Sequence, residues 1–469
     1  MIDDIANSKH LDQSNDVLGR DGQGAREHED HHPRRYCKPE HPHLPTSTAE
    51  TIIEGRAIRH IRTRNPGGSA VSVDLVLAGN GPGELTGWVR PVARSARDIG
   101  PADLRLTLVL SPTQFAGGRE VDVVKSWGLF DRILTPAEGI RLALGRLRFE
   151  AGPRGSVLHL GGDLWFSAQI ARRLKIPACA FAETLLVARK HGAFAEIFAT
   201  SEDLARQLST RGVPEEKIVV TGDPRVDAML RATREPPAPL NRPPRPIPVV
   251  SLLPGSRDRY VRALLPYLLR VADALRSSRP RVTFQIIAAE FLSPGLLASM
   301  RALASDRWPA LNAVWVTSDP WTALARSDLA LTFPGTSTVE LAMLGVPFAA
   351  IVPLEFVDRV PAEGVVEWIG RIPGVGRMVK RVAAWRYFAR PRLMALPNIR
   401  AGRAIAPEWI GRWTPAELAN RVSDLLDDET RRKAMRTELR SLYSSSGGAA
   451  TRIAEHALEL AATLRESRP

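Results

Sequence analysis

The stretch SLLPGSRDRYVRALLP, Ser251 to Pro266, opens as a short apolar run, breaks at Pro254-Gly255-Ser256-Arg257, and resumes with apolar residues at helical spacing. That pattern is a strand, a tight turn and a helix. A helix start already carries partial positive charge, and this one adds Arg257, Arg259 and Arg262 around a single acid, Asp258. Such crowding is unfavourable unless something negative sits in front of it. Gly255 and Ser256 can turn their amides outward as a nest, and Arg257 adds a forked, permanently charged donor, which together suit a phosphate. A solvated surface turn uses the same residues, and the stretch alone does not separate the two readings.

Outward from it, strand and helix alternate on both sides. Before it run VSVDLVLAG, ELTGWVRPVARSA, LRLTLVLS, SVLHLG, ACAFA and KIVVTG; after it come RVTFQIIA, NAVWV, DLALTF and VPFAAIV. Alternation of this kind predicts an α/β fold with parallel sheets covered by helices. Residues 233–248 hold seven prolines and enter neither helix nor sheet, which marks a connector between two doubly wound domains facing a cleft. The expected organisation is a disordered polar tail over 1–70, a Rossmann-like domain over 71–240, a second over 241–414, and helices over 415–469 that pack across the joint.

The chain has 469 residues, a formal net charge of +13 and two cysteines, Cys37 and Cys179. Two cysteines make no disulfide framework and fit a reducing cytoplasm. The charge favours an anionic partner: nucleic acid, acidic membrane or phosphorylated substrate. Residues 1–70 carry 10 Lys/Arg against 11 Asp/Glu, so the basic surplus belongs to the body. Seven of the ten histidines also lie in that tail, where Glu27–Arg35 lacks the spacing of a closed metal site. No apolar run reaches the roughly 18 residues of a spanning helix, so a soluble or peripheral protein is expected.

In open α/β sheets ligands bind beyond the carboxyl ends of strands. Two further turns stand there. In LAGNGPGELTGW, Gly79, Gly81 and Gly83 let backbone approach a ligand and Glu84 opens the helix; a plain tight turn reads equally well. In LTFPGTSTVELAMLGVP, Gly335, Thr336 and Ser337 offer amides and hydroxyls at a helix start, and Glu340 either holds a sugar's hydroxyl pair or supports the helix as a capping box. Neither phosphate-like turn is followed by Gly-Lys-Ser/Thr, which excludes Walker-type kinases and ATPases.

In this order and with these neighbours, the turns resemble the lipid-A-disaccharide synthase family, glycosyltransferases of the GT-B architecture. AGNGPGELTG is similar to A-G-E-x-S-G-D, LLPGSR to L-P-G-S-R, and VTGDPRVDAML to a G-H-P-x-x-D segment. SDLALTFPGTSTVELAMLGVPF is similar to S-D-x-x-L-x-x-S-G-T-x-x-L-E, and LMALPNIRAGRAIAPEW to S-L-P-N-x-x-A-G-x-x-x-x-x-E. The resemblance runs from about residue 73 to 460. It implies inverting transfer of an acylated glucosamine from a UDP-sugar to a lipid-linked amino-sugar phosphate. It further implies Arg257, Gly255 and Ser256 at the diphosphate, Gly335, Thr336 and Ser337 beside it, Glu340 at the ribose, and Asn398 near the nucleoside. Catalysis would fall to Arg257 at the leaving phosphate and Asp163 as base, Asp163 otherwise being the cap of the following helix. No metal or other cofactor is expected. A UDP-sugar epimerase or a non-catalytic UDP-sugar binder on the same frame are the alternatives.

The departures concentrate on the acceptor side, in the turn of Gly81, Gly83 and Glu84. Asn80 stands for the first motif's glutamate and Glu84 for its aspartate, while DLWFSAQ lacks a second aspartate. Residues 367–394 hold seven Lys/Arg interleaved with Trp368, Trp385, Tyr387 and Phe388. That composition suits an anionic membrane surface, from which a lipid acceptor is reached, but equally single-stranded nucleic acid or a solvated helix packed on the domain. The resemblance to sugar transferases favours the membrane, at its cytoplasmic face, over nucleic acid.

Overall fold

The strand patterns become two parallel sheets. The computed structural model describes residues 73–112, 118–150, 152, 154–232, 246–356, 393–443 and 447–462. The N-terminal tail, most of the proline-rich connector and residues 367–392 of the basic, aromatic stretch lie outside them.

The first sheet holds β1 (Val73–Gly79), β2 (Leu104–Leu110), β3 (Arg132–Leu134), β4 (Arg154–His159), β5 (Ala178–Ala182), β6 (Glu196–Ala199) and β7 (Ile218–Val220). Their order is β3-β2-β1-β4-β5-β6-β7, all parallel. Every residue of β1 is buried, as a strand covered on both faces requires. Its register against β2 is marked by a fork from an exposed arginine to a buried carboxylate: Arg105 Nε and Nη2 lie 2.7 and 2.6 Å from the two oxygens of Asp74, directly opposite. The covering helices include α1 (Arg90–Ile99), α2 (Glu120–Ser126), α3 (Pro136–Ala143), α4 (Leu164–Leu174), α5 (Glu202–Ser209) and α6 (Pro224–Ala232). A helical turn, Pro82–Glu84, and a π turn, Leu85–Val89, lead into α1.

The second sheet comprises β8 (Val249–Leu253), β9 (Thr283–Ile287), β10 (Val314–Val316), β11 (Leu329–Thr332), β12 (Phe348–Pro353) and β13 (Glu408–Gly411). Their order, β10-β9-β8-β11-β12-β13, is again parallel. Its helices include α7 (Asp258–Ser278), α8 (Pro294–Arg307), α9 (Pro320–Ala325), α10 (Thr336–Leu344) and α11 (Leu396–Ala401). The fold is therefore the doubly wound pair of α/β halves that the alternation predicts.

The last three helices divide between the halves. α12 (Pro415–Asp427) packs on α7 and α13 (Glu429–Leu442) on α10 and α11, whereas α14 (Ala449–Ala462) returns to α1, β4 and β1. The carboxylate of Asp227, in α6, accepts the amides of Gly448 and Ala450 and so anchors the start of α14. Further along α14, Ser156 Oγ donates to Ala457 O at 2.7 Å, and His456 lies 3.0 Å from Glu196. These polar ties fix the angle at which an alanine-rich helix face meets the first sheet.

Replacing Asp227 by Ala leaves two amides at a helix start without their acceptor. Urea denaturation is expected to show a loss of about 1–2 kcal/mol, with faster amide exchange confined to α14; an unchanged midpoint would contradict the anchor.

Candidate active site

Each sheet reverses its winding once, between β1 and β4 in the first and between β8 and β11 in the second. Chains leaving those four strands diverge, so a crevice opens at their carboxyl ends. Four glycine turns follow these strands: Asn80–Glu84 after β1, Gly161–Asp163 after β4, Pro254–Arg257 after β8 and Phe333–Gly335 after β11. The two crevices also meet. A Cβ placed on Gly83 would lie 2.7 Å from Thr336 Oγ1, and one on Gly81 would lie 3.8 Å from Arg257 Nη2. Glycine is needed at Gly83 because the start of α10 leaves no room for a side chain there.

On the second sheet's side, Gly255 is exposed with φ +107, a conformation that L side chains rarely adopt, and it lets the chain turn abruptly into α7. Arg257 occupies the cap position of α7, its guanidinium carbon 5.7 Å from the Tyr260 ring centre. Asp258, the one acid of this turn, is engaged by Ser293, whose amide donates at 2.9 Å. Gly335 has φ +155 and ψ −168, a glycine conformation that leaves the first amides of α10 pointing outward. Ser337 Oγ lies 2.9 Å from Thr332 Oγ1, and Thr338 Oγ1 donates to Gly335 O at 2.6 Å. The hydroxyls thus brace the loop, while the helix start presents its amides.

Glu340 is not part of a capping box, because the third helical position is Thr338. Its half-buried side chain bonds Trp321, and burial pushes its pKa up to about 7 against the pull of Arg225. Asn398 stands in α11, ahead of the loop to β13. It is wholly buried, its Nδ2 donates to Ala406 O at 2.8 Å and Glu408 Oε1 at 2.7 Å, and its Oδ1 accepts the amides of Ile405 and Ala406 at 2.9 and 3.0 Å. With donors and acceptor committed, its side chain holds the loop leading to β13.

On the first sheet's side, Glu84 Oε2 accepts the amides of Asn80 at 3.1 Å and Gly81 at 3.3 Å, folding back over its own turn. Gly161 provides the seat: a Cβ there would fall 2.1 Å from the carboxylate. Burial pushes the Glu84 carboxyl up, the three amides of Gly81, Asn80 and Gly162 pull it back, and Glu183 pushes it further up. Asp163 caps α4, accepting Trp165 N at 2.8 Å, and lies 3.4 Å from Lys190 Nζ with its side chain mostly exposed. His159 is a core residue, 2.8 Å from Ser167 Oγ, and burial lowers its pKa to about 4.

Sequence reasoning missed the charged cluster beside these turns. Arg225, 2% exposed, donates through Nε to the Asp223 oxygens at 3.1 and 3.0 Å and through Nη2 to Asp223 at 2.7 Å and to Glu183. Its guanidinium carbon lies 5.0 Å from the Trp88 ring centre, and its stem occupies the space that Gly87 leaves empty. Burial alone would draw its pKa down, but Asp223 and Glu183 outweigh that. The available signal was the run Asp223-Pro224-Arg225 at a strand-to-helix turn, where a charged pair enters a buried helix start. Among the described residues, no group of three or more His, Cys, Asp or Glu is arranged to hold a metal ion.

Residues 234–359, which span the Arg257 and Gly335 turns, match the family model described as lipid-A-disaccharide synthetase. The chain is 29% identical over 333 residues to the lipid-A-disaccharide synthase of Anaeromyxobacter sp. (strain K), covering 68% of this chain and 79% of that one. It is 31% identical over 212 residues to the enzyme of that name from Anaeromyxobacter dehalogenans (strain 2CP-C), covering 45% and 48%. Its fold is similar to that of a Listeria monocytogenes protein assigned as a UDP-N-acetylglucosamine 2-epimerase, with a TM-score of 0.52 at 14% identity over 85% of this chain and 98% of that one.

Two substitutions test these placements. Asn398→Ala strands several buried polar groups and is expected to cost about 3 kcal/mol or more in ligand-free protein; a stable variant would return Asn398 to the ligand. Glu340 carries a folded-state pKa of about 7, above its ordinary 4.5. The protonated form is therefore the one the fold favours, and that contribution is lost as pH rises through about 7. Glu340→Gln is expected to raise Tm at pH 8, with the gain shrinking as pH falls toward 4.5.

Proposed function

Because the chain belongs to the lipid-A-disaccharide synthase family of glycosyltransferases, we propose that it transfers an acylated glucosamine from a UDP-sugar to a lipid-linked amino-sugar phosphate, with inversion and release of UDP. The observation that carries this reading is the meeting of Gly81 with Arg257 and of Gly83 with Thr336 at the reversal points of both sheets. An acceptor held by the first turn is thereby within reach of a donor whose diphosphate lies against the other two.

The chemistry follows from that placement. The acceptor hydroxyl attacks the anomeric carbon while the bond to the UDP oxygen breaks, so negative charge grows on the leaving phosphate. Arg257, the nest at Gly255 and Ser256, and the amides after Gly335 through Ser337 meet that charge. Glu340 accepts the ribose hydroxyls in its ionised form. Asp163, exposed at the end of β4, takes the proton of the incoming hydroxyl. With arginine and fixed dipoles in this role, no metal is assigned one. The basic, aromatic composition of residues 367–394 supports a peripheral position on the cytoplasmic face of an anionic membrane. No helix among the described residues is long and apolar enough to cross a membrane.

Incubation of purified protein with labelled UDP-N-acylglucosamines and total bacterial lipid is expected to yield UDP and a labelled disaccharide lipid, undiminished by EDTA. Arg257→Ala should lower turnover about 100-fold or more, and Asp163→Asn should lower turnover while leaving UDP affinity intact. Conversion of the donor without acceptor would instead identify an epimerase, and UDP binding with no turnover a non-catalytic relative.

A further inference from the structure

Two consecutive residues of one loop are buried in opposite halves. The loop after β9 ends at Ser293, the cap of α8. In it, Phe291 is 4% exposed and belongs to the core of the first half, in one cluster with Val92 of α1 and Val123 and Val124 of α2. Leu292, 5% exposed, belongs to the core of the second half. Phe291 also meets the Trp127 ring edge-on, with ring centres 6.5 Å apart. Interfaces between the domains of one chain are ordinarily polar enough to let the domains move, so a large aromatic lodged in the opposite core calls for a reason.

Polar ties flank this seat on both sides. Toward the first half, the Glu290 carboxylate accepts from Arg90 Nη1 at 3.3 Å and from Trp127 Nε1 at 3.2 Å, and the Arg90 guanidinium carbon lies 4.8 Å from the Trp127 ring centre. Arg119, at the cap of α2, donates to Leu292 O. Toward the second half, the amide and the hydroxyl of Ser293 both donate to the Asp258 carboxylate. Where these partners stand in the chain is informative. Arg90 opens α1 directly after the π turn that follows Gly81 and Gly83, and Asp258 is the residue after Arg257. The segment Glu290 to Ser293 thus links the helix behind the first turn to the helix behind Arg257.

We propose that this segment is a strap that sets the spacing of the two turns, with Phe291 and Glu290 as positioning residues that hold Arg257 against the Gly81 turn. The functional part rests on the reading of that contact as the reactive centre. Displacement at an anomeric carbon needs acceptor and donor held close, and a small misplacement set far from the chemistry is costly. The ties of Phe291 and Glu290 run to α1, α2 and Trp127. Loosening them therefore parts the halves and leaves the donor contacts within the second half whole.

The test combines turnover with labelled UDP-N-acylglucosamines and bacterial lipid, UDP affinity by calorimetry, and the spacing of the halves by electron spin resonance. Spin labels go on the exposed positions Arg141→Cys in α3 and Ser277→Cys in α7, in a Cys37→Ser background with Cys179 left buried. Phe291→Ala is expected to lengthen and broaden the label distance and to lower turnover about tenfold or more, with UDP affinity unchanged. Glu290→Ala should do the same to a smaller degree, and Phe291→Met, which refills the seat, should restore both. A loop that only stabilises the fold would lower Tm and leave distance and turnover in place. An unlengthened distance in folded Phe291→Ala overturns the strap; should that variant fail to fold, an unlengthened distance in Glu290→Ala does so alone. A longer distance with intact turnover, or UDP affinity that falls along with turnover, overturns the positioning role. A wild type that turns over no donor would instead overturn the glycosyltransferase reading, and the label distance then judges the strap by itself.

Discussion

The close approach of Gly83 to Thr336 is the constraint on which the site depends. A Cβ at Gly83 would lie 2.7 Å from the threonine hydroxyl, so the loop after β1 and the start of α10 meet backbone to side chain with no spare layer between them. Both loops sit at winding reversals of their sheets, where neighbouring chains diverge and leave room beyond the strand ends. The same arrangement brings Arg257 to 3.8 Å from the Cβ position of Gly81. The crevice is thus bordered by two halves that each contribute strand ends, with glycine supplying the proximity.

Charge is distributed unequally across that contact. The second half presents amides and arginine, suited to a leaving phosphate. The first half presents carboxylates, Glu84, Asp163 and Glu183, of which Glu84 is folded back on its own turn and Asp163 faces outward. Arg225 offsets part of that charge, pairing with Asp223 and Glu183 at the start of α6. The departures from the family pattern at Asn80 and Glu84 are consistent with this geometry, since Glu84 finds its acceptor role in backbone amides close by.

Much of the fold was legible because its long strands are apolar on both faces. VSVDLVLAG, LRLTLVLS and VPFAAIV leave little choice but a buried parallel sheet. The three strands that went unread, Arg132–Leu134, Glu196–Ala199 and Glu408–Gly411, are three or four residues long and carry a charge at the first position. Their pairing is decided by neighbours far away in sequence, which no local pattern encodes. The places of the Arg257 and Gly335 turns, at the ends of β8 and β11, were legible from the apolar runs before them. The loop-tying bonds of Asn398 were not legible, because a buried amide that ties a loop and one that grips a base share the same local sequence. Arg225 was invisible because its partners Glu183 and Trp88 converge on it only after folding.

The account stands or falls on where a nucleotide's diphosphate lies. A crystal structure of the protein with UDP at saturating concentration tests it most directly. The account expects the diphosphate within hydrogen-bond distance of Arg257 and of the first amides of α10, with the ribose at Glu340. A diphosphate bound elsewhere, or an empty crevice at that concentration, would contradict it.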